Sequence, residues 1–154
     1  IMDKEKSIVV LNSLVVINND RIEGYESASK ETKDSDLLLL FAHLSQTSVK
    51  FKQELVDEIH KLGGKPTEGT TIMGRFFRVW MDVKAAFTKD DRKTILDSCE
   101  YGEDTAVEAY NDALKEHDNC ISTEQRAMLK AHHALLKIDH DKVKGMRDSV
   151  LQNS

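Results

Sequence analysis

The chain has 154 residues, 22 basic and 27 acidic, with 40% hydrophobic and 32% charged side chains. That is room for one compact domain and too apolar for a disordered chain, while the longest apolar run, Leu37 to Ala42, is far short of the ~20 residues a membrane-spanning helix needs. A net charge of -5 without a basic block argues against nucleic-acid or anionic-membrane partners, and one proline with seven glycines argues against an all-β fold.

Hydrophobic periodicity divides the chain into five helical stretches. The first runs from about Lys6 to Lys30, with a stripe of Ile8, Leu11, Val15, Ile22, Tyr25 and Ala28, and Asn18 polar on the same face. Ile1, ahead of Met2, is set aside, and Ile8 to Leu11 is too short for a secretory signal. Asp34-Ser35-Asp36 supplies a stop and a new N-cap. The second helix runs from about Ser35 to Leu62 on Leu37, Phe41, Leu44, Ser48, Phe51, Leu55, Ile59 and Leu62, and Gly63-Gly64 supplies the left-handed residue that ends it before Lys65-Pro66.

A shorter helix is expected over about Thr71 to Phe87, its apolar side carrying Met73, Phe76, Phe77, Trp80, Val83 and Phe87; the aromatic stripe reads as a lid over one bundle side, with a partner-binding face that would drive dimerisation as the alternative. A fourth helix begins at Thr88, where Thr88-x-x-Asp91 resembles a capping box, and runs to about Glu116 along Ile95, Cys99, Ala106, Tyr110 and Leu114. Ser122-x-x-Gln125 opens the fifth, which continues through Leu129, Leu136, Val143, Met146 and Val150. Four helices each ~40 Å long, with short connections near Asp34 and Asp118, predict two antiparallel hairpins joined by one long crossover that contains the short helix. The expected fold is an all-α, ferritin-like four-helix bundle, a single domain over residues 2–154.

Several motifs resemble a known family: Glu23-Gly24-Tyr25; Phe51-x-x-Glu54-Leu55 leading to Leu62-Gly63-Gly64-Lys65-Pro66; Arg78-Val79-Trp80-Met81-Asp82-Val83-Lys84; Cys99-Glu100-x-Gly102-Glu103-Asp104 followed by Tyr110; and His140-Asp141 with Met146-Arg147-Asp148. Their order is similar to that of an uncharacterised bacterial family, a domain of unknown function in the ferritin-like superfamily. The resemblance implies a ferritin-like bundle in a bacterial cytoplasmic protein and carries no established activity.

A ferritin-like fold raises the question of a carboxylate-bridged dimetal centre, which needs Glu-x-x-His on two helices. The residues three before His43, His117, His132, His133 and His140 are Leu40, Leu114, Leu129, Lys130 and Lys137, so only Asp57-His60 has an acid, and it sits at a helix end. A nonstandard site is the alternative. Counting about ten residues from the end where helices one and five finish and two and four begin puts Glu23, Glu100, Glu103 and His140 in one layer with Leu44 and Ser45. Three carboxylates and an imidazole suit iron, manganese or zinc.

Other polar residues have plain readings. Tyr25 and Tyr110 are expected in the core with one polar partner each. Asn18, Ser45 and Ser48 are expected to bond across helices. In the His132-His133 pair, one ring is expected at the core edge and the other in solvent. Cys99 and Cys120 are too far apart to join, which suits a reducing compartment. The chain has no phosphate-cradling loop, nucleophile elbow or Cys-x-x-Cys. The first expectation is therefore a non-enzymatic cytoplasmic protein acting through helical surfaces as a homodimer, stress-linked by analogy with its superfamily. The second is a metal-binding or oxidoreductase protein using Glu23, Glu100, Glu103 and His140.

Overall fold

The computed structural model describes residues 3–69, 85 and 91–152. Among these residues the long helices are α1 (Lys4–Glu31), α2 (Ser35–Lys61), α3 (Arg92–Glu116) and α4 (Thr123–Gln152), with a 3₁₀ turn at Asp118–Cys120 between the last two. No strand occurs among the described residues, and no helix there is long and apolar enough to cross a membrane. The helix expected over Thr71 to Phe87, with its aromatic side, lies outside the described residues except at residue 85.

The helix ends follow from local chemistry. Asp3 caps α1, its carboxylate accepting from the amides of Glu5 and Lys6. Gly63 takes φ +77° after α2. Its amide donates to His60 O and that of Gly64 to Ile59 O, closing the last turn. At the start of α4, the Ser122 amide donates to Gln125 Oε1 (2.9 Å) and the Gln125 amide to Ser122 Oγ (3.1 Å), a reciprocal capping box. One boundary differs from expectation. Asp91 is itself the N-cap of α3, taking the Thr94 amide at 3.1 Å and the Thr94 hydroxyl at 2.7 Å, so the helix starts at Arg92 and not Thr88.

Cross-helix contacts fix the topology. Between α1 and α2, Arg21 meets Ser48 and Tyr25 stacks on Phe41, so later positions on one helix face earlier ones on the other. Between α3 and α4, Tyr110 meets His132 and Glu100 meets Arg147 in the same reversed order. Asn18–Tyr110 and Arg21–Glu103 make α1 and α3 antiparallel, and Glu54–His132 with His43–Asp139 does the same for α2 and α4. Arg92 pairs with Asp34 and Asp36, so α2 and α3 begin at one end. Gly64 lies against Ile8 at the other. The end of α2 and the start of α3 therefore lie at opposite ends of the bundle, between two antiparallel hairpins.

Among the described residues the core has two apolar clusters. One contains Leu11, Leu14, Phe51, Leu55, Ile59, Ala106, Tyr110, Leu129 and Leu136. The other contains Tyr25, Leu37, Phe41, Leu44, Ile95, Leu96, Cys99 and Val143. Between them lies a layer of buried polar side chains: Arg21 on α1, Ser45 and Ser48 on α2, Glu103 on α3 and Asp139 on α4.

Candidate functional site

Arg21 is the centre of the polar layer. It is fully buried, on the stripe Leu14, Asn18, Arg21, Tyr25 and Ala28, whose steps of four, three, four and three keep to one helix face. Its Nε donates to Glu103 Oε2 at 3.0 Å and its Nη2 to Glu103 Oε1 at 2.7 Å, a bidentate pair. Its Nη1 donates to Ser48 Oγ at 2.5 Å, and Nη2 stands 3.6 Å from Asp139 Oδ2. Glu103 Oε2 also accepts the Tyr25 hydroxyl at 2.7 Å, while the guanidinium carbon lies 5.8 Å from the Tyr25 ring centroid. Asp139 Oδ1 takes a hydrogen bond from His43 Nε2 at 2.8 Å.

The electrostatics keep this layer closed. Burial, reinforced by the Glu103 carboxylate, pushes the Tyr25 phenol well above its ordinary range, so it stays a neutral donor. Arg21 loses hydration on burial, yet Glu103, Tyr25 and Asp139 leave its pKa above the ordinary value. Removing one member of such a pair leaves an uncompensated buried charge, typically at a cost of about 3–5 kcal/mol. Burial and Glu103 also push the Cys99 thiol up, away from reactive thiolate character. Cys99 and Cys120 are both free.

A second polar chain crosses the cluster that contains Phe51 and Tyr110. Asn18 Nδ2 donates to the Tyr110 oxygen at 3.0 Å, and the Tyr110 oxygen lies 2.9 Å from His132 Nδ1. His132 Nε2 reaches Glu54 Oε2 at 2.5 Å, and Phe51 stacks on the imidazole with centroids 4.0 Å apart. Glu54 is an acceptor, so Nε2 carries the proton and Nδ1 accepts from the Tyr110 hydroxyl. Burial lowers the His132 pKa against the opposing pull of Glu54, which agrees with that neutral tautomer.

A third arrangement lies on the α3–α4 hairpin. His140 Nε2 is 2.6 Å from Asp104 Oδ1 and 3.7 Å from Glu100 Oε1. His140 Nδ1 is 3.0 Å from Asp141 Oδ1. Glu100, Asp104 and His140 offer ligand atoms that all lie within 4.8 Å of one another. Arg147 holds the other oxygen of Glu100 and also reaches Asp97 and Asp148.

The four residues expected in one layer thus separate. Glu100 and His140 meet on the hairpin, Glu103 turns inward to Arg21 and Tyr25, and Glu23 lies on the exposed side of α1. A side-chain step of about 100° per residue puts Arg21 inside and Glu23 outside on α1, and Asp139 inside beside His140 on α4. Sequence reasoning missed Arg21, Asp139 and Asp104. Opposite charges on buried stripes, Arg21 after Asn18 and Glu103 between Cys99 and Ala106, were the available signal. Asp57 and His60 are both exposed, and Asp57 accepts from Gln53.

The model of one protein family matches residues 6–116, which cover α1 to α3. The chain belongs to this family, described as a domain of unknown function (DUF2383). The match leaves out α4, so the terminal motif around His140-Asp141 and Arg147 lies beyond it. No curated protein matches the chain.

Proposed function

We propose that this DUF2383 chain is a non-enzymatic, ferritin-like bundle protein of the bacterial cytoplasm, one domain over residues 2–154, acting as a homodimer through its helical surfaces. A stress-linked role follows by analogy with the superfamily. Two antiparallel hairpins, the first ending and the second beginning at opposite ends of the bundle, support the ferritin-like reading. The observation that carries the non-enzymatic reading is the Arg21–Glu103 pair. In a ferritin-like bundle the mid-helix carboxylates face two metal ions. Here Glu103 gives both oxygens to a guanidinium, and a fixed cation takes the space and the charge that a dimetal centre would use.

The test is iron oxidation. Protein purified without chelator and supplied with ferrous iron in air should oxidise it no faster than buffer does. Oxidation above that rate, abolished by Glu103→Ala, would overturn the reading. A second reading, metal binding without dimetal chemistry, has its own support in the clustered ligand atoms of Glu100, Asp104 and His140.

A further inference from the structure

We infer that Glu100, Asp104 and His140 form a mononuclear site for a divalent transition-metal ion such as Zn²⁺, on the outer side of the α3–α4 hairpin; this rests on the second reading above. The argument starts from proton counting. Both nitrogens of His140 face carboxylates, Nδ1 toward Asp141 Oδ1 at 3.0 Å and Nε2 toward Asp104 Oδ1 at 2.6 Å. A neutral imidazole has one N–H. With that proton on Nδ1, the Nε2 lone pair points at Asp104 and Glu100, an arrangement that needs a cation between them. Either a second proton or a metal ion meets that need.

The surroundings favour a metal. A histidine ligand ordinarily gives its other ring nitrogen's proton to a carboxylate, which fixes the tautomer and the ring orientation. Asp141 does this here, and Lys137 Nζ holds Asp141 Oδ1 from the previous turn at 3.1 Å. Glu100 is oriented in the same way, with Arg147 on Oε2 while Oε1 faces His140. Asp104 is one turn after Glu100 on the same helix face, and among the described residues its partner is His140 alone.

The spacing is also suitable. Metal–ligand bonds of ~2.1 Å in a tetrahedral site separate ligand atoms by about 3.4 Å, a value bracketed by the 2.6 and 3.7 Å contacts. Small side-chain rotations close the triad around an ion. The exposed side of Asp104 leaves a coordination position to water. One imidazole and two carboxylates accept zinc, manganese or ferrous iron, and zinc should bind more tightly than manganese.

The experiment is a calorimetric titration of the chelated and dialysed full chain with Zn²⁺ and, separately, Mn²⁺. The expected result is one Zn²⁺ per chain, tighter than Mn²⁺, with affinity reduced roughly tenfold or more in Asp104→Asn and in His140→Ala. Asp104 is exposed, so Asp104→Asn should keep the fold and decides the matter if His140→Ala does not fold. A Glu23→Gln control should bind as the parent does. Saturable zinc binding unchanged in Asp104→Asn would overturn this site while upholding metal binding by the chain. No saturable binding would overturn both.

Discussion

His132 is a buried base whose surroundings disagree about its charge. Burial opposes protonation, Glu54 favours it, and burial is the larger effect. The folded pKa therefore lies below the ordinary value of ~6.5. Above that value neither state is protonated and the contribution of His132 to stability is complete. As the pH falls below it, the unfolded chain takes up a proton that the folded chain refuses, and stability is lost as the folded pKa is approached. Urea unfolding at about pH 7.5 and about pH 5.5 should show a smaller loss for His132→Gln than for the parent. A glutamine can still give a hydrogen to Glu54 and accept one from Tyr110, so the comparison isolates the titration. Equal losses would mean that Glu54 cancels the burial effect. The same scale shows what the sequence hides. Tyr110 and Asn18 were legible because polar atoms on an apolar stripe need partners. Arg21 and Asp139 were not, because a charged residue reads as surface until its opposite charge is known to share the layer, and α1 and α3 are 82 residues apart at that pair.

Helix ends show how much one local signal can settle. The Ser122–Gln125 box was legible because both members lie close in sequence and their bonds are made within one turn. Ser122→Ala should cost about 1 kcal/mol by chemical denaturation, the usual worth of an N-cap hydroxyl. It should leave the helix content by circular dichroism unchanged. A loss well below that would mean that packing of Ile121 holds the turn without the box. The Thr88 assignment failed for a reason of the same kind. Two oxygen-bearing residues three apart both satisfy the pattern's polar ends, and Asp91 is followed by its own acceptor-seeking Thr94 amide and hydroxyl. Capping patterns identify a helix start only to within a turn when two candidates stand in line.

The whole molecule presents a question of surface. Hairpin order and antiparallel neighbours follow from helix lengths and short loops, and for that reason could be read from the sequence. Which faces remain uncovered could not, since that depends on how each helix is rotated. Leu39 on α2 is 73% exposed, and Ile138 and Leu135 on α4 are 62% and 42% exposed. Leu39 stands one turn before His43, and Ile138 adjoins Asp139, so the His43–Asp139 bond places these apolar side chains along the seam between α2 and α4. Apolar patches of this kind on a small protein mark association surfaces. A second copy turned by a two-fold axis would set the same seam against itself. Sedimentation equilibrium of the parent should give twice the 17.5 kDa chain mass. Leu39→Lys combined with Ile138→Lys should reduce it to one chain mass, with helical circular dichroism retained because neither side chain is in the core. A parent that stays monomeric at high concentration would remove the homodimer. A double variant that stays dimeric would move the interface to another face.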